Sequence, residues 1–518
     1  MATPSSGPEK PDPQDDVVAF LCRGDAFGSP PKRIDTHAAS IFLAGDRAWK
    51  LKRAIRFGYL DFSTADKRHT ALAAELELNR RTAPALYKAL HRVTRAPGDG
   101  RLAIDGPGDT IDWLLEMHRF PDDALLADRL DHGPLDEHLL MRLADRVHAF
   151  HAIADVAADA PGAIAFRQVV EGNIASMAAF PQILDPEQVA CLCSRQRQLV
   201  DDLASLLDAR AKAGRIRHAH GDLHLANIAL IDGEPTPFDC LEFSPELATI
   251  DVLYDLAFLL MDLWHRDLRY EANIIFNRYL DLSLQDEAGV VLMPLFLSVR
   301  ATIRAHVLAA QCKRAVDGLA LAQDARAYLD LALALLLPTA AKLVAIGGLS
   351  GSGKSSLARR LACDLGPAPG ARIVRSDVLR KQMAGVPLET RLPERAYSAE
   401  ASSKVYNAMD RTALTLLGSG HAVIADAVFA RRSERDGIEQ VARQANVAFV
   451  GLWLDAALQS RIDRVDAREA DASDADAGVA RAQSRIEIGA LGQWRRIDAD
   501  GALEAVAARA ATALRLHG

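Results

Sequence analysis

The stretch KLVAIGGLSGSGKSSLARR, from Lys342 to Arg360, leaves few options for the chain around it. An apolar run enters a glycine-rich turn, and a segment of helix-forming residues leaves it. The string satisfies G-x-x-x-x-G-K-[ST] through Gly348, Gly353, Lys354 and Ser355. Glycines there let consecutive backbone N–H groups curl around a phosphate, and the positive end of the following helix points to the same place. We assign Gly348, Gly351, Gly353, Lys354, Ser355 and Ser356 to this loop, with Lys354 reaching the β- and γ-phosphates of ATP and Ser355 a ligand of Mg²⁺. The segments ARIVRSD, HAVIADAVF and NVAFVGLWLD supply further apolar strands alternating with helical segments. That alternation predicts an α/β domain built on a parallel sheet.

Three further features of this half point to phosphoryl transfer. RSDVLRK places Asp377 and Arg380 three apart on one face of the turn that follows a strand. The carboxylate can take a proton from an acceptor hydroxyl while the arginine holds an anionic group. VIADAVF ends a strand with Asp426, the place for a metal-holding carboxylate. SRIDRVDAREADASDAD carries Arg461, Arg464 and Arg468 ahead of a small, polar run, as a mobile lid over a nucleotide would. Each alone reads equally well as a solvated helix face. Together, and in this order, they resemble small P-loop kinases of the gluconate-kinase and polynucleotide-kinase type, in which the D-x-x-R pair binds the acceptor.

A second signature lies upstream. In HGDLHLANIALIDGEPTPFDC, Asp222 and Asn227 are five apart on a loop, and Asp239 follows a turn at Asp232 and Gly233. One carboxylate can orient or deprotonate a hydroxyl while a neutral amide and a second carboxylate hold Mg²⁺ against ATP phosphates. His220, Gly221, Asp222 and Asn227 resemble the H-G-D-x-x-x-x-N loop of aminoglycoside phosphotransferases and related protein-kinase-like small-molecule kinases. The resemblance implies Asp222 as catalytic base, Asn227 and Asp239 as metal ligands, and a bracing role for His220. It also implies a strand lysine paired with a helix glutamate. RAWKLKRAI puts Lys50 and Lys52 on one face of a strand, with Trp49 and Leu51 on the other. Lys50 is favoured over Lys52, and Glu75 over Glu77. WLLEMHRF, around Glu116 to His118, falls where a hinge would meet adenine. The pattern departs from protein kinases twice: LAGDRAW holds a single glycine instead of a glycine-rich loop, and Cys240 and Leu241 follow the metal aspartate. Asp251 and Asp255 read as structural acids.

Over nearly all its length the chain resembles bacterial two-domain proteins known as bifunctional aminoglycoside phosphotransferase/ATP-binding proteins. The expected organisation is a disordered tail over residues 1–16, an α+β, two-lobed protein-kinase-like domain over 17–338, and a P-loop kinase-like α/β domain over 341–518. At 518 residues the chain is too long for one core. A net charge of −8 gives no general attraction to nucleic acid or to an anionic membrane. No uninterrupted run reaches the roughly 18 apolar residues that span a bilayer. Six scattered cysteines without a C-x-x-C pair suit a reducing cytoplasm. The leading expectation is an ATP- and Mg²⁺-dependent pair of phosphotransferases acting on small hydroxylated molecules, cytoplasmic, with no membrane or obligate protein partner. The alternatives are that one half is a regulatory nucleotide-binding module, or that the P-loop half is a polynucleotide 5′-hydroxyl kinase using a stripe of Arg359, Arg360, Arg372 and Arg375. Neither acceptor is named by the sequence, although Arg300 and Arg304 are candidates to line a pocket.

Overall fold

A computed structural model describes residues 14–36, 38–57, 60–130, 133–312, 318–467 and 472–515. The chain forms two compact units, Met1–Ala160 with Ala211–Asp255, and Pro161–Arg210 with Leu256–Gly518.

The first unit is built on an antiparallel sheet whose strands lie in the order Lys32–Asp35, Ala39–Ala44, Arg47–Lys52, Asp109–His118, Tyr87–Arg95, Leu102–Ile104. The second and third strands form a tight hairpin. Ala44 pairs with Arg47, so Gly45 and Asp46 are its turn, as expected, and Gly45 takes a φ of 59°. The helix Ala65–Arg80 opens on Thr64, whose side chain accepts the Lys67 N–H at 3.3 Å. Leu72 of this helix joins Ala48, Tyr87, Leu115 and Met117 in one apolar cluster.

The opposite sheet face is covered by a helix that the sequence reading put partly in a disordered tail. Asp15–Arg23 buries Val17, Phe20 and Leu21 against Phe42, Trp49 and Leu51. Gln14 ties it down, donating from Nε2 to Asp112 at 2.7 Å and to the Lys52 carbonyl at 2.9 Å, while Oε1 accepts the Ala54 N–H. Residues 14–16 therefore belong to the fold, because the apolar stripe Val17, Phe20, Leu21 outweighs the polar composition before it. The remainder of the expected tail lies outside the described residues.

The second unit contains a parallel sheet in the order Arg372–Arg375, Val423–Asp426, Lys342–Gly348, Ala448–Asp455, Arg495–Asp498. The last strand gave no apolar run to find; only Ile497 of RRID is buried. Helices from before residue 340 pack in this same unit, so compactness does not divide the chain at the 338–341 boundary read from sequence. The cause is specific. Arg372–Arg375 is an edge strand, whose unpaired backbone groups need partners. The helix Arg269–Leu282 supplies them with side-chain amides: Asn273 Nδ2 donates to the Pro369 carbonyl at 3.0 Å, and Asn277 Oδ1 accepts the Ile373 N–H at 2.7 Å. Fully buried Arg372 then pairs with Asp281 at 2.6 Å and Glu287 at 2.9 Å. This pairing also dissolves the expected basic stripe, since Arg372 is buried and neutralised rather than displayed.

One segment, Leu284–Gln311, is long and apolar enough to cross a membrane by length and composition, but 72% of its most apolar window is buried inside the fold. It is a core element here. Within it Arg300 lies over the Phe258 ring at 4.6 Å, and Arg304 over Tyr328 at 5.8 Å.

Two histidines in this unit make its stability depend on pH. Burial pushes His421 and His306 each down to about 4; His421 Nε2 bonds the Gly370 carbonyl at 3.1 Å and His306 Nε2 meets Asn173 Oδ1 at 3.2 Å. Unfolded, each titrates near 6.5. Above that value neither state is protonated and their full contribution is present. As pH falls from about 6.5 to 4, only the unfolded chain takes up the protons, so stability falls by up to about 1.4 kcal/mol per pH unit for each histidine. Denaturant titrations from pH 7.5 to 5 should show this loss, and His421→Asn with His306→Asn should flatten it. An unchanged slope in the double variant contradicts the assignment.

Candidate active sites

The first site grows from the pleat of Arg47–Lys52. Lys50 lies opposite Leu115 and Trp49 opposite Glu116 across the neighbouring strand, and directly opposed residues share a face. Lys50 and Lys52 thus project together toward the helix Ala65–Arg80, where Glu75 is fully buried and Glu77 exposed. Glu75 grips both: Lys50 Nζ is 2.6 Å from Oε1, and Lys52 Nζ 2.6 Å from Oε2. Lys50 continues to Asp239 Oδ1 at 2.6 Å, and Lys52 to Glu242 Oε1 at 2.5 Å. The sequence reading kept Lys50 against Lys52 open; the chain uses both, and Lys50 is the one that reaches Asp239.

Three carboxylates and two ammoniums share this pocket. Burial works against every charge in it, yet Asp239, Glu75 and Glu242 raise Lys50 above the usual lysine range. Burial likewise opposes ionised Asp239, but Lys50 and Lys52 hold it below the ordinary carboxylate range. Glu242 goes the other way: burial, with Glu75 and Asp239 close by, raises it despite Lys52.

Asp239 sits at a φ of 61°, a left-handed conformation aspartate tolerates better than most residues. Its N–H donates to the Tyr87 hydroxyl at 3.1 Å, and the Cys240 N–H to Asn79 Oδ1 at 2.8 Å. The loop before it is braced by Asp255, fully buried, which accepts the N–H groups of His220 at 3.0 Å and Gly221 at 2.9 Å and meets His151 Nε2 at 3.0 Å. Asp255 is thus structural, as expected. Burial keeps His220 below the usual histidine range; its Nε2 bonds the Phe238 carbonyl at 3.0 Å, so it braces the loop. Asn227 donates from Nδ2 to both the carbonyl and the carboxylate of Asp222, each at 3.0 Å. Those bonds fix the amide so that Oδ1 remains as its acceptor end.

Glu116 lies on the Trp49 face, where Arg47 Nη1 at 2.7 Å and His91 Nε2 at 2.7 Å hold its carboxylate. Its side chain does not share the face of Lys50, so any hinge contact with a base there belongs to the backbone.

The second site starts from Lys342–Gly348. Gly348, Gly351 and Gly353 take φ values of 148°, 83° and 90°. A Cβ on Gly351 would stand 2.3 Å from the Arg461 carbonyl oxygen, and one on Gly348 2.6 Å from Ser352 Oγ. Gly351→Ala should therefore abolish nucleotide binding at this loop by displacing it. A titration in which the variant binds like wild type contradicts that reading.

Lys354 Nζ rests on the Leu349 carbonyl at 3.2 Å, and Ser355 Oγ donates to Asp426 Oδ2 at 2.6 Å. Ser356 lies partly buried in the first turn of the helix Lys354–Ala362. Asp377 is half-buried, and burial raises its carboxyl despite Arg375 and a bond from Ser473. Arg380 is buried and turned to the segment behind it, donating to the Ala396 carbonyl and to Ser402 Oγ, with its guanidinium 4.7 Å from the Tyr397 ring. Arg464 reaches the loop, donating to the carbonyls of Ser352 at 3.5 Å and Ala499 at 2.8 Å. Arg461 is buried against Ala480 and Ser484. Arg468 lies outside the described residues.

Among the described residues no three His, Cys, Asp or Glu side chains form a metal cluster. Ser355 and Asp426, in contact at 2.6 Å, and Asn227 and Asp239, whose segments are joined by the Phe238 N–H donating to the Asn227 carbonyl at 2.9 Å, are donors of the kind that suit Mg²⁺, which takes one or two protein carboxylates and completes its shell with water and phosphate.

Several site residues went unread in the sequence. Gln483 Oε1 accepts the Ser350 N–H of the phosphate loop at 2.7 Å. Asp474 gathers Lys381 Nζ at 2.6 Å, the Leu392 N–H at 2.8 Å and the Tyr397 hydroxyl. Glu242 could have been suspected as the second acid of FDCLEF. Gln483 and Asp474 lie in small, polar stretches without periodicity, and nothing local marks them.

A family model described as "AAA domain" matches residues 343–486. The uncharacterized protein Rv2004c of Mycobacterium tuberculosis is 31% identical over 459 residues, covering 86% of this chain and 88% of its own. The uncharacterized protein Mb2027c of Mycobacterium bovis matches with the same identity and coverage. Among solved structures, a choline/ethanolamine kinase family protein from Mesorhizobium loti aligns with 62% of this chain and 95% of its own, at 14% identity and a TM-score of 0.37. A gluconokinase from Sinorhizobium meliloti aligns with 35% of this chain and 95% of its own, at 20% identity and a TM-score of 0.26.

Proposed function

We propose that this chain, which belongs to the family of the mycobacterial proteins Rv2004c and Mb2027c, is an ATP-dependent phosphotransferase with two reaction centres, each passing the γ-phosphate to a hydroxyl of a small molecule. The observation that carries the reading is Lys50 bridging Glu75 and Asp239 at 2.6 Å each, because it fixes a phosphate-binding cation to a metal-binding carboxylate. The second centre rests on Ser355 and Asp426, 2.6 Å apart behind the glycine loop.

At the first centre Lys50 holds the α- and β-phosphates, and Asn227 and Asp239 hold Mg²⁺. Asp222, oriented by the Asn227 amide, accepts the proton of the acceptor hydroxyl. At the second, the loop amides and Lys354 cradle the phosphates, Ser355 and Asp426 hold Mg²⁺, and Asp377 receives the proton. Its raised carboxyl makes it a stronger base once ionised. Bound Mg²⁺ supplies charge neutralisation on the phosphate oxygens. What these side chains contribute is positioning and electrostatics, which is most of what phosphoryl transfer requires.

The test is ATP consumption by the full chain with Mg²⁺ across a panel of sugars, polyols and amino alcohols. Asp222→Asn and Asp377→Asn should each lower turnover of one acceptor by about 10²–10⁴-fold and leave the other acceptor unaffected. Loss of both activities from either single change contradicts two independent centres.

A further inference from the structure

The strand Arg372–Arg375 ends beside the phosphate loop, and its last side chain is spent on the site. Arg375 Nη2 donates to Ser355 Oγ at 3.4 Å, and Nε stands 3.6 Å from Asp426 Oδ2. Its positive charge also acts on the Asp377 carboxylate. One guanidinium thus touches both groups assigned to hold Mg²⁺ and influences the group assigned to take the acceptor's proton. Arg372, three residues earlier, is differently engaged, locked between Asp281 and Glu287. Arg375 also lines a cavity of about 140 Å³ together with Arg372, Val374, Leu379, Gln382 and Thr412.

We propose that Arg375 recognises the γ-phosphate at the second centre, distinguishing a bound nucleoside triphosphate from a diphosphate. This rests on the reading of that centre as an ATP site. A divalent ion on Ser355 and Asp426 adds positive charge where Arg375 now neutralises Asp426, so the guanidinium exchanges that contact for a new anion. On that reading the loop amides would cradle the β-phosphate and Lys354 would bridge the β- and γ-phosphates, leaving oxygens of the terminal phosphoryl group as the anion nearest Ser355 and Asp426. A planar guanidinium matches phosphate oxygens in pairs, better than an ammonium does. Held there, Arg375 neutralises charge on the transferred group, the role in which an arginine contributes about 10³–10⁵ in rate in other phosphoryl-transfer enzymes. A diphosphate offers it no such partner.

The test compares calorimetric titrations of the full chain with Mg²⁺ plus AMP-PNP and Mg²⁺ plus ADP. The part lost in Lys354→Ala defines the second centre. Arg375→Gln should weaken AMP-PNP there by about 10–100-fold and change ADP by less than about threefold, with Arg375→Lys in between. Equal weakening of both nucleotides, or of neither, overturns the proposal, because an arginine that only organises Asp426 cannot tell them apart. If Arg375→Gln does not fold, by its melting temperature without nucleotide, Arg375→Lys carries the same comparison. A wild-type protein with no Lys354-dependent binding at all would overturn the ATP-site reading beneath the proposal, a result distinguishable from a wild type that binds but shows no γ-selectivity on substitution.

Discussion

Arg372→Ala should destabilise the second unit by about 3–5 kcal/mol, because it strips the cation from two carboxylates that have little water to turn to. Asp281 and Glu287 are 10% and 16% exposed, and Arg372 is 4% exposed between them. The same guanidinium bonds Asn277 Oδ1 at 3.2 Å, so the change also loosens the amides that cover the edge strand. The sign can be checked from the other side. Replacing all three groups, Arg372→Met with Asp281→Asn and Glu287→Gln, should recover most of the loss, since a buried ion pair contributes little net stability once its desolvation is counted. Chemical denaturation of the three proteins measures this. A single variant as stable as wild type contradicts the account, as does a triple variant no better than the single. A corollary is that a fragment beginning near residue 340 exposes both the edge strand and an unpaired Arg372, and should be less stable than the intact chain.

Lys50→Met should be the most damaging single change in the first unit, with an expected cost of about 3–5 kcal/mol and loss of nucleotide binding at that centre. Five charged groups meet there, and removing Lys50 leaves Glu75, Asp239 and Glu242 facing Lys52 alone. The pocket can relieve the excess by protonation. Glu242 is already raised by burial, and without Lys50 the Asp239 carboxyl loses one of the two lysines that hold it down. The damage should therefore be greatest at neutral pH and shrink as pH falls toward the carboxylate range, where the acids are neutral in both folded and unfolded chains. Denaturant titrations of wild type and variant at pH 7.5 and pH 5 separate this from a packing defect, whose cost would not change with pH. A pH-independent difference contradicts the electrostatic account.

Most of the fold was legible because its signals are local. The pleat of RAWKLK put both lysines on one face, Thr64 marked the start of the helix that brings Glu75 to them, and apolar runs announced four of the five parallel strands. What escaped depended on tertiary packing. Val17, Phe20 and Leu21 bind a helix to the sheet that its polar flank disguises, so residues 14–16 looked like tail. The strand carrying Glu116 was read from WLLEMHRF, but which face its side chain takes is set by the register opposite Trp49, which sequence alone does not give. The boundary near residue 340 follows the change of sequence pattern, whereas Asn273, Asn277 and Arg372 bond across it. Asp474 and Gln483 come from stretches with no periodicity, and their roles depend on residues about 80 to 130 positions away.

The central claim is that one chain holds two nucleotide centres, and the most direct measurement is binding stoichiometry. Equilibrium dialysis of the full chain with labelled AMP-PNP and Mg²⁺ should give two nucleotides per chain, falling to one in Lys354→Ala and to one, of the other kind, in Lys50→Met at a temperature where that variant is folded. One nucleotide per chain in wild type, falling to none in Lys354→Ala, would contradict the claim and leave the first unit without an ATP site of its own.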